Sequence, residues 1–110
     1  MTSGRMQPLG ISAFTVTSAL GHGCAAHLEA LLAGRSGLRP CAFEDCDLAT
    51  WTGTVDGLEV PLSGRLAEWD CRNNRLAEVG LSQDGLTDAV ARVRKRYGAE
   101  RIAVCMATST

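Results

Sequence analysis

Arg101-Ile102-Ala103-Val104-Cys105-Met106-Ala107-Thr108-Ser109-Thr110 carries six apolar side chains in succession, from 102 to 107, with no polar alternation. An uninterrupted run of this length reads as a strand buried on both faces, as in a parallel sheet covered by helices. The residues before it have a helical pattern and are joined to it by Gly98-Ala99-Glu100. Helix, tight link and buried strand make half of a βαβ unit, so the sequence predicts a layered α/β fold. A buried central strand needs further chain packed beyond it. The expectation is therefore the front piece of a larger α/β domain, or one chain of a split one.

Working backwards, residues 70–97 read as one long helix. Leu76, Val79, Gln83, Leu86, Val90, Val93 and Tyr97 fall at alternating steps of three and four, which places them on one face. That face is expected to be buried. Asp70 is its predicted N-cap, and Arg92, Arg94, Lys95 and Arg96 form a basic end suited to the negative pole of the helix dipole. Gly80 and Gly85 each cost about 1 kcal/mol of helix propensity, so close packing against another backbone is expected at them.

At the other end, residues 9–16 are apolar and read as the first strand. A turn through Ser18-Ala19-Leu20-Gly21 follows, and then a helix over 24–33 with Ala25, Leu28, Leu31 and Leu32 as its apolar face and Gly34 as its stop. Residues 35–40 read as loop, and Pro40 excludes a central strand there. Trp51-Thr52-Gly53-Thr54-Val55 alternates at period two, as a half-exposed strand does. Asp56-Gly57 predicts a hairpin returning through residues 58–62. Residues 63–69 read as a connector with room for one helical turn.

The 110 residues suffice for one domain at most. Net charge is −1, which gives no electrostatic pull towards nucleic acid or an anionic membrane. Aromatic residues are only 5%, which argues against a base-stacking platform. No apolar stretch approaches the roughly 20 residues of a membrane span. Residues 1–8 read as a short polar lead without a signal-peptide core. Cys24, Cys41, Cys46, Cys71 and Cys105 are odd in number and lack CxxC spacing, which favours free thiols in a reducing cytoplasm.

Several residues invite a chemical reading. His22, Cys24 and His27, with Cys41 and Cys46 following, are of zinc-ligand type but lack knuckle spacing. Cys24 and His27 lie on one helical turn and are equally read as facing core and solvent. Gly21-His22-Gly23-Cys24-Ala25-Ala26 fits G-x-G-x-x-A between a strand and a helix, the position of a dinucleotide pyrophosphate. Two glycines also simply permit a tight turn, and the acidic residue that should follow is only loosely supplied by Glu44 or Asp45. Cys105 reads as a buried, inert thiol. Thr108-Ser109-Thr110 reads as a pocket lining or a polar turn. Asp84 and Asp88 share a helix face, and Asp88 is spaced to pair with Arg92. The run from 92 to 96 reads as a solvated helix end or as a docking point for an acidic partner. No nucleophile, base and oxyanion hole assemble from these motifs, so no catalytic, cofactor or metal residue is assigned within the chain.

Three stretches resemble the N-terminal part of the β-ketoacyl-acyl-carrier-protein synthases, the condensing enzymes of fatty-acid and polyketide synthesis. The first is the strand, the Ser18-to-Gly21 turn and the helix closing on Leu31-Leu32-Ala33-Gly34-Arg35-Ser36-Gly37. The second is the Trp51 strand after a loop with Phe43 and acidic residues. The third is the long helix ending near Tyr97, followed by Arg101-Ile102-Ala103-Val104. The resemblance spans residues 9–110 and implies a thiolase-like layered fold of which this chain holds only the N-terminal strands and helices. It implies an acyltransferase performing decarboxylative Claisen condensation, a homo- or heterodimer, and the remainder of the synthase or a second chain as partner. The family's nucleophilic Cys and two His lie beyond these residues. It also implies an acyl carrier protein as partner, with Arg72 and Arg75 as carrier contacts. Two stretches depart from the family. Its Thr-Gly-x-Gly is Ser12-Ala13-Phe14-Thr15 here, and its usually basic helix start reads Glu68-Trp69-Asp70-Cys71-Arg72. A catalytically silent, chain-length-factor-like subunit and a small dinucleotide-binding fragment are the alternatives.

Overall fold

The computed structural model describes residues 6–43 and 45–107. Among them the chain forms a mixed α/β arrangement of two small antiparallel ribbons, three α-helices and two 3-10 turns. Two strands, β1 (Thr17–Ser18) and β2 (Gly21–His22), pair antiparallel with Ala19 and Leu20 as the loop. The helix α1 (Gly23–Leu32) leaves β2 directly. The other ribbon is β3 (Leu38–Pro40) with β4 (Trp51–Gly53), in the register Leu38↔Gly53, Arg39↔Thr52, Pro40↔Trp51. A 3-10 turn at Gly64–Trp69 leads to α2 (Arg72–Leu81), α3 (Leu86–Tyr97) and a last 3-10 turn at Ala99–Arg101.

The helix α1 ends as its sequence predicts. Gly34 takes φ +61, its N–H donates to Leu31 O and that of Arg35 donates to Ala30 O. This is a Schellman closure, in which a left-handed residue lets the chain satisfy the last helical carbonyls. Gly37 then brings the chain back onto the β1–β2 loop. A Cβ at Gly37 would lie 2.7 Å from the Ala19 carbonyl carbon, and one at Gly53 would lie 3.3 Å from Ala19 Cβ. The two glycines therefore let the β3–β4 ribbon reach the loop, so the Gly34-to-Gly37 phrase has a conformational reason at Gly34 and a packing reason at Gly37.

Several expectations are corrected. Residues 9–16 and 102–107 form no strand, and Val104 and Met106 are each 80% exposed. Strand propensity needs a neighbouring strand to pair with, and neither segment has one among the described residues. Cys105 is accordingly exposed, not buried. The long helix is two helices. Asp84 (φ 54) and Gly85 (φ 66) are both left-handed and break it after Leu81. Residues 58–62 do not return as a hairpin arm, because β4 pairs with β3. Residues 38–40 form that strand instead of loop, and Pro40 is accommodated because a two-stranded ribbon has only edges. Asp70 caps nothing; Cys71 is the N-cap of α2.

Apolar coverage is thin. Among the described residues only Ala30 (1% exposed) and Leu58 (3%) are fully buried hydrophobic side chains. On α1 the buried positions are Gly23, His27 and Ala30, while the expected core face of Leu28, Leu31 and Leu32 is exposed. On the next helices Leu76, Val79, Gln83 and Leu86 are half-buried, whereas Val90, Val93 and Tyr97 are exposed. The Cα radius of gyration is 18.2 Å, against about 13 Å expected of a compact chain of this length. No described helix is long and apolar enough to cross a membrane.

Candidate functional site

The polar side chains that converge do so at the start of α1. Its first amides have no partners within the helix. A carboxylate from 60 residues away fills that role, for Cys24 N–H donates to both oxygens of Asp84, at 2.9 and 3.2 Å. The Thr15 hydroxyl donates to the same carboxylate at 2.7 Å. These donors, the Thr15 hydroxyl first and then the Cys24 amide, hold the Asp84 carboxyl below the usual range. Gly23 is required beside it, since its φ is +81 and a Cβ there would meet Asp84 Oδ1 at 3.2 Å.

This geometry corrects the dinucleotide reading of Gly21 to Ala26. The anion at the N-terminus of α1 is the chain's own carboxylate, held where a pyrophosphate would sit. The strands flanking the turn are antiparallel, so no βα crossover is present there. Glu44 lies outside the described residues.

Ser18 and His27 form a second link one turn further along. His27 Nδ1–H donates to Gly23 O at 2.8 Å, which leaves Nε2 as acceptor for the Ser18 hydroxyl at 2.7 Å. Ser18 Oγ in turn accepts the Leu20 amide at 3.2 Å. A hydroxyl bonded to an imidazole has the form of a nucleophile and its base. Here a backbone carbonyl orients the ring, and Leu20 already occupies the hydroxyl oxygen. The network latches β1 and its loop to α1.

His22 Nε2–H donates to Asp56 O at 2.9 Å, away from Cys24 and His27. Among the described residues no three His, Cys, Asp or Glu side chains are placed to share a metal ion. All five cysteines are free. Partial burial, then the neighbouring Asp84, pushes the Cys24 thiol above its ordinary range, the opposite of an activated nucleophile.

The two expected carrier contacts differ sharply. Arg75 is a half-buried clamp: Nε and Nη2 donate to the two oxygens of Asp70, and Nη1 donates to Leu58 O at 3.0 Å. Leu62 N–H also donates to Asp70 at 2.8 Å. Arg75 first, then Leu62, lowers the Asp70 carboxyl to about 2. The clamp ties α2 to residues 58–62 beside a cavity of about 260 Å³ lined in part by Val60, Leu66 and Val79. Arg72 is exposed in the first turn of α2. Asp88 and Arg92 do not pair as their spacing suggests; the ion pairs among the described residues are Arg35–Glu29, Arg39–Asp56 and Arg75–Asp70. Thr108, Ser109 and Thr110 lie outside the described residues.

Sequence reading missed Asp84 as an organising residue. The Asp84-Gly85 dipeptide signals a turn, but nothing local points to a partner at Cys24. No family model matches the chain, and no curated protein or solved structure matches it.

Proposed function

We propose that this chain is the N-terminal piece of a β-ketoacyl-carrier-protein synthase-like condensing enzyme of thiolase-like fold, working in the cytoplasm in fatty-acid or polyketide-type synthesis. The observation that carries the reading is the apolar surface left uncovered on α1 and beyond α3. Leu28, Leu31 and Leu32 on α1, and Val104 and Met106 beyond α3, are all exposed. Each large apolar side chain left in water forgoes about 1.5–3 kcal/mol, so these faces call for further protein to cover them. A layered synthase, as one chain or two, supplies it. The Gly34 helix stop and the close packing of Gly37, the two ends of the phrase that carries the resemblance, support the same reading.

In such an enzyme the Cys takes the acyl group from the carrier, and the His pair assists loss of CO2 from the malonyl unit. The resulting carbanion then attacks the thioester. Those groups lie outside this chain, which contributes scaffold and a carrier contact. Arg72 suits that contact because a cation in the first turn of a helix opposes the helix dipole, so its place there is not a stabilising one. Arg75, held by Asp70, contributes its remaining exposed edge.

The test uses the native polypeptide containing these residues, with any chain that co-purifies. Incubation with an acyl-carrier and a malonyl-carrier should release CO2 and form the β-ketoacyl-carrier, and Arg72→Glu should raise the KM for carrier with little change in kcat. Absence of both products would overturn the enzyme reading.

A further inference from the structure

Along α3 a groove, free positive charge and an aromatic ring occur together. The extended segment at Ser12 and Ala13 faces α3 across a groove of about 590 Å³. Its apolar lining comes from Ala13, Ala89, Val93 and Tyr97, and its charge from Arg92 and Arg96. These two arginines are four residues apart, one helical turn or about 6 Å along the axis. The Arg96 guanidinium lies 5.2 Å from the Tyr97 ring centroid, and that of Arg101 lies 6.0 Å from it. Contact with the ring face orients both cations.

None of the three is neutralised by a carboxylate among the described residues. All are exposed. Residues 92–101 hold five basic side chains against one acidic, Glu100, in a chain whose net charge is −1. Positive charge is therefore gathered here, and the rest of the chain is negative.

We propose that this groove docks an acidic peptide segment of a partner protein. Its carboxylates meet Arg92, Arg96 and Arg101, and one apolar side chain enters between Val93 and Tyr97. Three guanidinium groups spread over more than one helical turn match several carboxylates in a row better than a single small anion, since each guanidinium fork fits one carboxylate. The trough between two backbone segments has the shape for a side chain, not for a flat lipid surface. The proposal is independent of the condensing-enzyme reading, whose carrier contact lies on α2.

Fluorescence anisotropy tests it, using the full chain and a fluorescein-labelled synthetic peptide of alternating Asp and Glu with one central Leu. That peptide should bind, and added salt should weaken it. Its Gln/Asn counterpart should not bind, and replacing the Leu by Gly should cost about tenfold. The Arg92→Glu, Arg96→Glu double variant should bind at least tenfold more weakly with an unchanged circular dichroism spectrum. If that variant unfolds, Arg101→Ser carries the test and should still weaken binding measurably. Equal binding by wild type and folded variant would overturn the proposal. So would no binding of the acidic peptide, or binding of phosphatidylserine vesicles that the peptide does not displace.

Discussion

The unit made of the β1–β2 hairpin, α1 and the β3–β4 ribbon differs from the unit made of α2, α3 and the residues after them. In the first, the Ser18, His27 and Thr15 side chains find partners within the chain, the buried Thr17 hydroxyl being an exception, and glycines bring backbones together. Ser18, His27, Thr15 and Asp84 are all bonded, and Gly37 and Gly53 cradle Ala19. In the second, Leu81, Val90, Val93 and Tyr97 face outwards, Arg75–Asp70 is the ion pair, and Asp84, between the two helices, is turned to the start of α1. Local geometry and polar satisfaction can be completed within a short stretch of chain. Apolar coverage cannot, because it scales with how much protein lies on the other side.

The largest expected effect strikes the glycine cradle. Gly37→Val places a branched side chain against the Ala19 backbone and should destabilise by about 3 kcal/mol, the upper end for overpacking, as read from the urea midpoint. Gly10→Val, with nothing within 4 Å of its Cβ position, is the matched control and should change little. Equal effects would mean that Gly37 is not held closely against the Ala19 backbone.

Asp84→Ala should come next. It strips α1 of its anion and should speed hydrogen exchange at the Cys24 amide while lowering the urea midpoint less than Gly37→Val does. Asp84→Asn should restore part of the loss, because an amide oxygen still caps. No change in Cys24 exchange would remove Asp84 from its organising role.

The clamp in the other unit should show itself through pH. The Asp70 carboxyl moves from 3.8 to about 2 on folding, so the fold favours its charged form. That contribution is complete above pH ~4 and disappears as pH falls through the folded value. Asp70→Asn should flatten this part of the acid limb, followed by circular dichroism. An unchanged limb would show that Arg75 gains nothing from its partner.

The smallest effect should be on the exposed face of α1. Leu31 is 68% exposed, so Leu31→Glu should alter the stability of the isolated chain by no more than about 0.5 kcal/mol. The same change should block assembly with the rest of a synthase, measured by native mass. Unfolding of the isolated chain instead would mean that α1 already packs its leucines inside.

Much of the first unit is legible in the sequence because its signals are local. The Ser18-to-Gly21 turn, the span of α1 and the Gly34 stop follow from spacing and glycine placement. The Gly64–Trp69 turn and the end of α3 at Gly98 are legible for the same reason. What is not legible depends on distant partners. Residues 9–16 and 102–107 have strand composition, yet a strand exists only where another backbone answers it. The break at Asp84 and Gly85 falls inside a helical period that runs through both flanks, so the apolar spacing alone reads across it. The site fared likewise: Arg72 sits exposed as its type suggests, whereas the Arg75 clamp depends on residues 58–62 folding back.

His27 has a practical consequence. Its Nδ1 proton is directed at Gly23 O within a buried ring, so exchange with water requires the hairpin to part from α1. Such a proton gives a resolved, slowly exchanging resonance at the low-field edge of a proton NMR spectrum. It would report, without labels, whether the hairpin and α1 stay together when the chain stands alone and when it joins a larger assembly.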